Sequence, residues 1–187
     1  MSRPEKLLAC WHPVAYSYEV VADEPYGTTL LDEPLVIWRN SNGAPMAMKD
    51  VCIHRGTALS LGWLTDGCLV CPYHGWRYDE AGACVLIPQT VNPTIPTKAR
   101  TQKYRCLERF GLIWVALRDP VYALPDVPEL ENGRWKVVNT GPFAWNSDAS
   151  RQVENFTDLG HFPWVHMDLL GDMDRPVVPD HDVETRG

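Results

Sequence analysis

Two short stretches decide the fold: Cys52-Ile-His54-Arg-Gly56 and Cys71-Pro-Tyr-His74-Gly-Trp76. Sixteen residues separate His54 from Cys71, and each stretch supplies one thiol and one imidazole. In a dinuclear iron–sulfur centre, one iron can take both thiolates while the other takes both imidazoles. The pattern therefore predicts one [2Fe–2S] cluster with four ligands: Cys52, His54, Cys71 and His74.

Zinc is an alternative metal for these four residues, because it accepts two thiolates and two imidazoles in a tetrahedron. Zinc sites usually carry Cys-x-x-Cys on one knuckle, whereas each stretch here mixes one sulfur with one nitrogen. Four unrelated buried side chains are a third interpretation. The remaining cysteines and two histidines without matching partners are interpreted as packing or ordinary polar residues: Cys10, Cys68, Cys84, Cys106, His12 and His181.

Both stretches resemble the Rieske motif of the ring-hydroxylating oxygenases. Gly56 and Gly75 suit this motif, because glycines let a loop backbone approach the cluster and direct N–H groups at its sulfides. Rieske proteins of respiratory complexes carry an extra, disulfide-bonded cysteine in each loop, whereas Thr57 and Tyr73 stand in those neighbourhoods here. The resemblance implies the oxygenase or ferredoxin branch, toward the lower end of a potential range of about −150 to +300 mV.

A second group of candidate metal ligands lies at the end of a predicted helix and just beyond it. Ser147 is a reasonable N-cap, and a helix-permissive stretch runs from Glu154 to about His161. On such a helix Asp158 and His161 are three residues apart and share a face. A carboxylate in that position can orient the imidazole and accept its second N–H.

His166 lies five residues beyond His161, which is about 140° around an unbroken helix. The two imidazoles can therefore meet one metal only across a break, which Pro163 supplies. Two imidazoles and one carboxylate form the facial triad of a ferrous site, with open positions for dioxygen and substrate. The alternative is ordinary histidines beside an aromatic cluster of Phe156, Phe162 and Trp164.

The order of the two groups resembles the α-subunit of Rieske non-haem iron oxygenases, particularly the homo-oligomeric kind typified by phenoxybenzoate dioxygenases and vanillate O-demethylases. The resemblance implies that His161 and His166 are two ligands of a mononuclear Fe(II). It implies that Asp158 is the acid that bridges to a Rieske histidine of the neighbouring subunit and carries the electron. A head-to-tail homotrimer is the implied assembly.

The implied function is the oxygenase component of a Rieske system. A reductase or ferredoxin would supply NAD(P)H-derived electrons, and the enzyme would use dioxygen to hydroxylate or oxidatively demethylate a small aromatic-type substrate. The alternative is a Rieske ferredoxin-type electron carrier without oxygenase activity of its own. Such a carrier has no use for Asp158, His161 and His166, which is the feature that discriminates the two.

The sequence departs from the family after His166, because only 21 residues follow it. Members of the family continue through a catalytic domain that contributes a third iron ligand, usually an aspartate late in the chain. The acids present here do not occupy that position: Asp168, Asp172, Asp174, Asp180, Asp182 and Glu184. We therefore expect the third ligand to lie outside the chain, the catalytic domain to be incomplete, and the 187-residue form to be inactive alone.

The first 118 residues are predicted to be mainly β, because three pairs of β-type segments flank turn-forming residues. The pairs are 35–39 with 46–51, 76–78 with 84–87, and 104–108 with 112–118. The expected domains are a small antiparallel β-sandwich with two cluster-binding loops over 1–118, a proline-rich connection over 119–133, and the start of an α+β helix-grip-type catalytic domain over 134–187. Residues 135–139 are predicted to form a strand, and 168–187 an acidic solvated loop.

Composition argues against several other functions. Seventeen Lys and Arg against 24 Asp and Glu give a net charge of −7, which disfavours binding to nucleic acid. The longest apolar run, Leu112–Leu117, has six residues, far below the roughly 20 that a membrane-spanning helix needs. The charged N-terminus has no secretory apolar region, so we expect a cytoplasmic location with reduced cysteines.

Overall fold

The computed structural model describes residues 5–91 and 94–184. The chain divides into two compact units, Met1–Val137 and Val138–Gly187. Residues 1–4, which belong to the stretch on which the location was predicted, lie outside the described residues. So do residues 185–187 of the predicted acidic loop.

The described part of the first unit is built from antiparallel strands with short helices between them. The strands are β1 (His12–Tyr16), β2 (Tyr26–Leu30), β3 (Glu33–Arg39), β4 (Pro45–Lys49), β5 (Trp63–Thr65), β6 (Cys68–Val70), β7 (Arg77–Tyr78), β8 (Cys84–Leu86), β9 (Lys103–Arg109) and β10 (Leu112–Ala116). The helices are α1 (Glu5–Leu8) and two 3₁₀ turns, Leu59–Leu61 and Pro128–Leu130.

These strands form two antiparallel sheets. The larger sheet has the order β1-β10-β9-β4-β3-β2, and the smaller has the order β5-β6-β7-β8. Every strand pairing described is antiparallel. The predicted mainly β, antiparallel fold class is therefore confirmed. The domain boundaries 1–118, 119–133 and 134–187 stay a prediction.

Strand β3 separates two hydrophobic clusters, because successive side chains on a strand point to opposite faces. Leu35 and Ile37 lie in one cluster, and Val36 and Trp38 lie in the other. The cluster around Val36 and Trp38 also contains three residues from the predicted ligand loops and the strand beside them: Cys52, Cys71 and Tyr78. The core of the domain therefore supports the predicted cluster ligands directly.

The three predicted hairpins are present as β3–β4, β7–β8 and β9–β10. In the first turn, Oδ1 of Asn40 accepts hydrogen bonds from the N–H groups two and four residues later, both at 3.0 Å. Asp79 does the same in the second turn, at 2.9 and 2.8 Å. Such Asx turns are local interactions, which explains why turn residues predicted these pairings correctly.

The predicted strand at residues 135–139 is wrong. Within residues 5–91 and 94–184 they have no ladder partner, and all of them are exposed. A β-type run becomes a strand only where a neighbouring strand supplies its hydrogen bonds. Here the two sheets are formed without it, and the boundary between the two compact units falls between Val137 and Val138.

The described part of the second unit contains α2 (Ala149–Thr157) and α3 (Phe162–Val165). The predicted helix differs at both ends: Asp148, not Ser147, is the N-cap of α2, and the helix ends before Asp158 instead of continuing to His161. Asp158 has an extended backbone (φ −88°, ψ 107°). Its Oδ1 accepts the N–H of Gly160 at 2.8 Å, an Asx turn that competes with helical hydrogen bonding.

Pro163 does not supply the break itself. It occupies the second position of α3, where a proline is tolerated because its missing N–H would have no helical partner. The break therefore precedes Pro163, at residues 158–161. No helix in the described parts of the chain is both long and apolar enough to cross a bilayer.

Candidate functional site

Two loops carry the four predicted cluster ligands. Loop 1 is residues 50–58, between β4 and the 3₁₀ turn Leu59–Leu61. Loop 2 is residues 71–76, between β6 and β7. Both loops leave the hydrophobic cluster that contains Cys52 and Cys71, whose exposed fractions are 2% and 1%. The predicted sulfur ligands are thus buried in the core, and the predicted histidine ligands follow two and three residues later.

The two loops repeat the same backbone hydrogen bonds. In loop 1, the N–H of Cys52 donates to the carbonyl five residues on, at 2.8 Å, and its carbonyl accepts the N–H of Gly56 at 2.9 Å. In loop 2, Cys71 and Gly75 make the equivalent two bonds, both at 2.9 Å. Gly56 and Gly75 have φ of +75° and +71°, which side chains rarely adopt. The two loops therefore present their ligands with closely similar local geometry.

The two histidines meet at the ends of these loops. The ring centroids of His54 and His74 are 4.6 Å apart, and the rings are tilted by 60°. The Nδ1 atoms of both rings are buried and have no hydrogen-bond partner. Buried polar atoms are normally satisfied, so two orphaned nitrogens side by side require an explanation. Coordination of a metal centre through Nδ1 would provide it.

The two thiols belong to one buried cluster. Cys52 and Cys71 both lie in this cluster, and the backbone N–H groups of Tyr73 and His74 lie near the sulfur of Cys71. Burial raises the pKa of Cys71, the largest influence, while those two N–H groups lower it. Backbone N–H groups directed at a sulfur suit a thiolate ligand. The donor set thus fits an iron–sulfur cluster.

Aromatic side chains surround the ligands. The indole of Trp76 stacks on the imidazole of His54, with centroids 4.6 Å apart and planes 2° from parallel. Burial, followed by the neighbouring charges of His74 and Arg55, lowers the pKa of His54. The ring of Tyr73 lies 4.1 Å from that of His74. The imidazoles are therefore held by ring contacts as well as by their loops.

Tyr78 is a site residue that sequence reasoning missed. Its hydroxyl lies 3.1 Å from Sγ of Cys52 and 3.2 Å from the backbone nitrogen of Ile53. The available signal was its position two residues after Trp76 in a β-type run, which places both side chains on one face. That signal does not reveal contact with a loop more than twenty residues earlier in the sequence.

The second predicted group is also brought together, although without the shared helical face. Nδ1 of His161 lies 3.4 Å from Oδ2 of Asp158, across the turn between α2 and α3. His161 and His166 flank the single-turn helix α3, and their ring centroids are 5.3 Å apart. The prediction that Asp158 and His161 share a helical face is thus wrong, because α2 ends before Asp158. The two side chains approach each other across the turn instead.

The surroundings of this second group are partly aromatic and partly exposed. The ring of Phe162 lies 4.9 Å from His161 and 6.0 Å from His166, edge to face in both cases. Nδ1 of His161 is buried and, at 3.4 Å from the carboxylate, has no partner in hydrogen-bond geometry. Within residues 5–91 and 94–184, no three His, Cys, Asp or Glu side chains converge on the position of one metal ion.

A family model described as "Rieske [2Fe-2S] domain" matches residues 10–108. The chain belongs to this Rieske family. The match spans both loops, so the predicted family and its [2Fe–2S] cofactor are confirmed.

Curated relatives are similar over most of this Rieske chain. Methylxanthine N1-demethylase NdmA from Pseudomonas putida is 38% identical over 186 residues, which are 94% of this chain and 52% of the relative. The oxygenase component of dicamba O-demethylase from Stenotrophomonas maltophilia is 35% identical over 160 residues, 83% of this chain and 46% of the relative. The chain thus spans about half the length of these curated relatives.

Solved structures give the same result. The structure of Pseudomonas putida CBB5 NdmA matches with a TM-score of 0.80 and 37% identity, covering 94% of this chain and 55% of that one. Dicamba monooxygenase bound to dicamba matches with a TM-score of 0.75 and 33% identity, covering 86% and 48%. The Rieske fold therefore rests on sequence and structure together.

Proposed function

We propose that this protein is the oxygenase component of a Rieske non-haem iron system. The observation that carries the proposal is the presence of two ligand groups in one chain: the paired Rieske loops, and the group formed by Asp158, His161 and His166. An electron carrier needs only the first group. The second group has the residue types that bind ferrous iron in oxygenases.

Four residues are proposed to hold the cluster: Cys52, His54, Cys71 and His74. The matched backbone hydrogen bonds, the orphaned Nδ1 atoms and the adjoining thiols support this ligand set. When bound, the cluster supplies one-electron transfer and the mononuclear iron supplies dioxygen activation. The protein contributes rigid loops, a buried sulfur side and imidazoles that reach toward the surface.

His161 and His166 are proposed to hold the mononuclear iron. Oδ2 of Asp158 lies 3.4 Å from Nδ1 of His161, and we propose that a small shift on iron binding closes this contact into a hydrogen bond, with Nε2 as the metal ligand. This is the usual arrangement of a metal-ligating histidine and its supporting carboxylate. Asp158 is further proposed to connect this site with a Rieske histidine of a neighbouring subunit, in a homotrimer.

The proposed substrates are small aromatic-type molecules. The names of the relatives support this class, since they include methylxanthine demethylases, a dicamba O-demethylase and a toluene-4-sulfonate monooxygenase subunit. Within the family, we propose the homo-oligomeric kind typified by phenoxybenzoate dioxygenases and vanillate O-demethylases. Electrons would come from NAD(P)H through a reductase or ferredoxin, in the cytoplasm.

The two candidate reactions differ in their products. One dioxygen and two electrons from NAD(P)H, with two protons, convert an N- or O-methyl group into formaldehyde, the demethylated product and one water. For hydroxylation, the same dioxygen and electrons give the hydroxylated product and one water when one oxygen atom is inserted. Formaldehyde release therefore identifies demethylation directly.

The test uses the protein as its source organism makes it, with a Rieske reductase, NAD(P)H and dioxygen. We expect substrate-dependent NAD(P)H consumption with methylxanthines or methoxylated benzoates, and its loss in His161→Ala. The matched control is His181→Ala, because among the described residues that exposed ring is hydrogen-bonded to the nearby Pro179 carbonyl, at 3.1 Å, and not to a residue of either proposed site. If the reduced cluster is oxidised at the same rate with and without these substrates, and at the same rate in both variants, the ferredoxin-type carrier is favoured instead.

A further inference from the structure

We propose that Asp50 is a positioning residue that closes the two ends of loop 1 and so holds Cys52 and His54 at the cluster. The proposal rests on the ligand set proposed above. Asp50 is the first residue after β4, and its partner Ser60 lies in the 3₁₀ turn that follows the loop. The two residues are ten apart in sequence, and neither belongs to the cluster motif.

The contact between them is bidentate. Oδ1 of Asp50 accepts the backbone N–H of Ser60 at 2.7 Å, and Oδ2 accepts the Ser60 hydroxyl at 2.6 Å. The N–H of Asp50 in turn donates to the carbonyl of Pro34 in β3 at 2.9 Å. Hydrogen bonds to an ionised carboxylate are stronger than neutral ones. Asp50 therefore ties both ends of loop 1 to the larger sheet.

The ends of loop 2 are held together differently from those of loop 1. Its two ends are the paired strands β6 and β7, in which Leu69 faces Tyr78 and Val70 faces Arg77. The sheet itself therefore closes loop 2. Loop 1 begins at β4, whose described partners are β3 and β9, and ends at a 3₁₀ turn that belongs to neither sheet. In loop 1 the two hydrogen bonds between Asp50 and Ser60, which we call the clasp, take the place of strand pairing.

The residues that follow Ser60 pack against β6, the strand that leads into loop 2. Gly62, two residues after Ser60, lies so close to β6 that a Cβ on it would be 1.9 Å from the carbonyl oxygen of Val70. The next residue, Trp63, pairs with Val70 in the smaller sheet. Val70 immediately precedes the ligand Cys71. By holding Ser60, Asp50 thus sets the position of loop 1 relative to loop 2.

Three variants separate positioning from general stability. Asp50→Ala removes both hydrogen bonds to Ser60. Asp50→Asn keeps them, because the amide oxygen accepts the N–H and the amide nitrogen donates to the hydroxyl. Asn40→Ala is the control, since it removes two side-chain bonds to backbone N–H groups and a 3.9 Å contact with Sδ of Met46, in a hairpin turn outside both loops.

Hydrogen–deuterium exchange of the purified chain compares the two loops within one molecule. In Asp50→Ala we expect about tenfold faster exchange at the amides of Cys52 and Gly56, because exchange follows the free energy of local opening. The equivalent amides of Cys71 and Gly75 should keep their wild-type rates. Asp50→Asn should restore loop 1, and Asn40→Ala should change neither loop. Ser60→Ala, a milder variant, should show a smaller effect in the same direction.

The reduced cluster gives a second readout. We expect a broadened EPR spectrum and faster loss of iron to a chelator in Asp50→Ala, with wild-type behaviour in Asp50→Asn. Equal exchange changes in both loops, or an unchanged spectrum and chelation rate in Asp50→Ala, would overturn this proposal alone. A wild-type chain that takes up no iron and acid-labile sulfide would overturn the ligand set, and this proposal with it.

Discussion

The hydroxyl of Tyr78 lies 3.1 Å from Sγ of Cys52 and 3.2 Å from the backbone nitrogen of Ile53. Because the N–H can only donate, the hydroxyl oxygen accepts that bond, and its own proton is left for the sulfur. Burial is the main cause that raises the pKa of Tyr78, so the phenol remains a donor across the working pH range. Once Cys52 is a thiolate ligand it can only accept, so we expect the Tyr78 hydroxyl to donate to it.

Tyr78→Phe is expected to lower the midpoint potential of the cluster. A hydrogen bond to a ligand sulfur favours the reduced, more negative state. A difference of about 1 kcal/mol between the two redox states corresponds to about 40 mV for one electron. The measurement is a dithionite titration followed by EPR or visible circular dichroism.

The control for this substitution is Tyr104→Phe. The Tyr104 hydroxyl donates to Glu33 at 2.7 Å and belongs to the other hydrophobic cluster. Loss of this hydrogen bond should lower the free energy of unfolding and leave the midpoint potential of the cluster unchanged. Equal potentials in wild type and Tyr78→Phe would show that the hydroxyl proton is not directed at the sulfur.

Cys71→Ser should remove the red-brown colour and destabilise both loops, because cluster binding and local folding are coupled. Cys106→Ser is the matched substitution, since burial raises the pKa of that thiol to about 12 and it packs against the other hydrophobic cluster. Visible absorption and acid-labile sulfide measure the outcome. A colourless wild-type protein that contains zinc and no sulfide would contradict the cluster.

The 187-residue chain should bind close to two irons. Among the described residues, His161 and His166 have no third ligand that converges with them, and two histidines alone hold ferrous iron weakly. Iron and acid-labile sulfide per chain provide the measurement, and His161→Ala should leave both values unchanged. Three irons per chain together with product formation would show that a nearby acid such as Asp168 or Asp172 completes the site.

In the intact enzyme, with its mononuclear iron site complete, Asp158→Asn should leave the cluster spectrum and the bound mononuclear iron largely in place while product formation collapses. The substitution keeps the shape of the side chain and its Asx turn with Gly160, but removes the charge that faces Nδ1 of His161. Single-turnover oxidation of the reduced cluster, with substrate and dioxygen, measures electron transfer between the sites. Oxidation at the wild-type rate would leave Asp158 with a structural role, worth about 1 kcal/mol or less.

Glu108→Gln should lower the free energy of unfolding at neutral pH by about 1 kcal/mol. The effect is modest because the carboxylate is 35% exposed and solvent screens its charge. Two nitrogens of Arg39 bind this carboxylate at 2.7 and 3.1 Å, and they are the main cause that lowers the pKa of Glu108 from 4.5. The stabilisation is therefore present above pH 4.5 and is lost as the pH falls through the lower, folded-state pKa.

Urea unfolding at pH 7 and at pH 3 tests this sign. The difference in unfolding free energy between wild type and Glu108→Gln should shrink at the lower pH. Asp66→Asn serves as the control, because Asp66 is 84% exposed and its contact with Arg77 is 3.4 Å. A difference that grows as the pH falls would contradict the linkage.

Local patterns were predicted well from the sequence. The four proposed cluster ligands lie in two stretches whose spacing gives a mixed thiol–imidazole set. The hairpin around Asn40 follows from turn chemistry between near neighbours, and so does the one around Asp79. A helix after Asp148 was predicted correctly, but both of its ends were wrong: Asp148 is the N-cap, and the Asx turn at Asp158 competes with helical hydrogen bonds.

Only the tertiary structure decided which distant residues meet. The contact of Tyr78 with Cys52 and the clasp between Asp50 and Ser60 depend on how the sheets hold the two loops. The lack of a partner for residues 135–139 is equally a property of the assembled sheets. Sequence spacing constrains residues joined by a few peptide bonds, whereas such approaches arise from strand register and core packing over the whole domain.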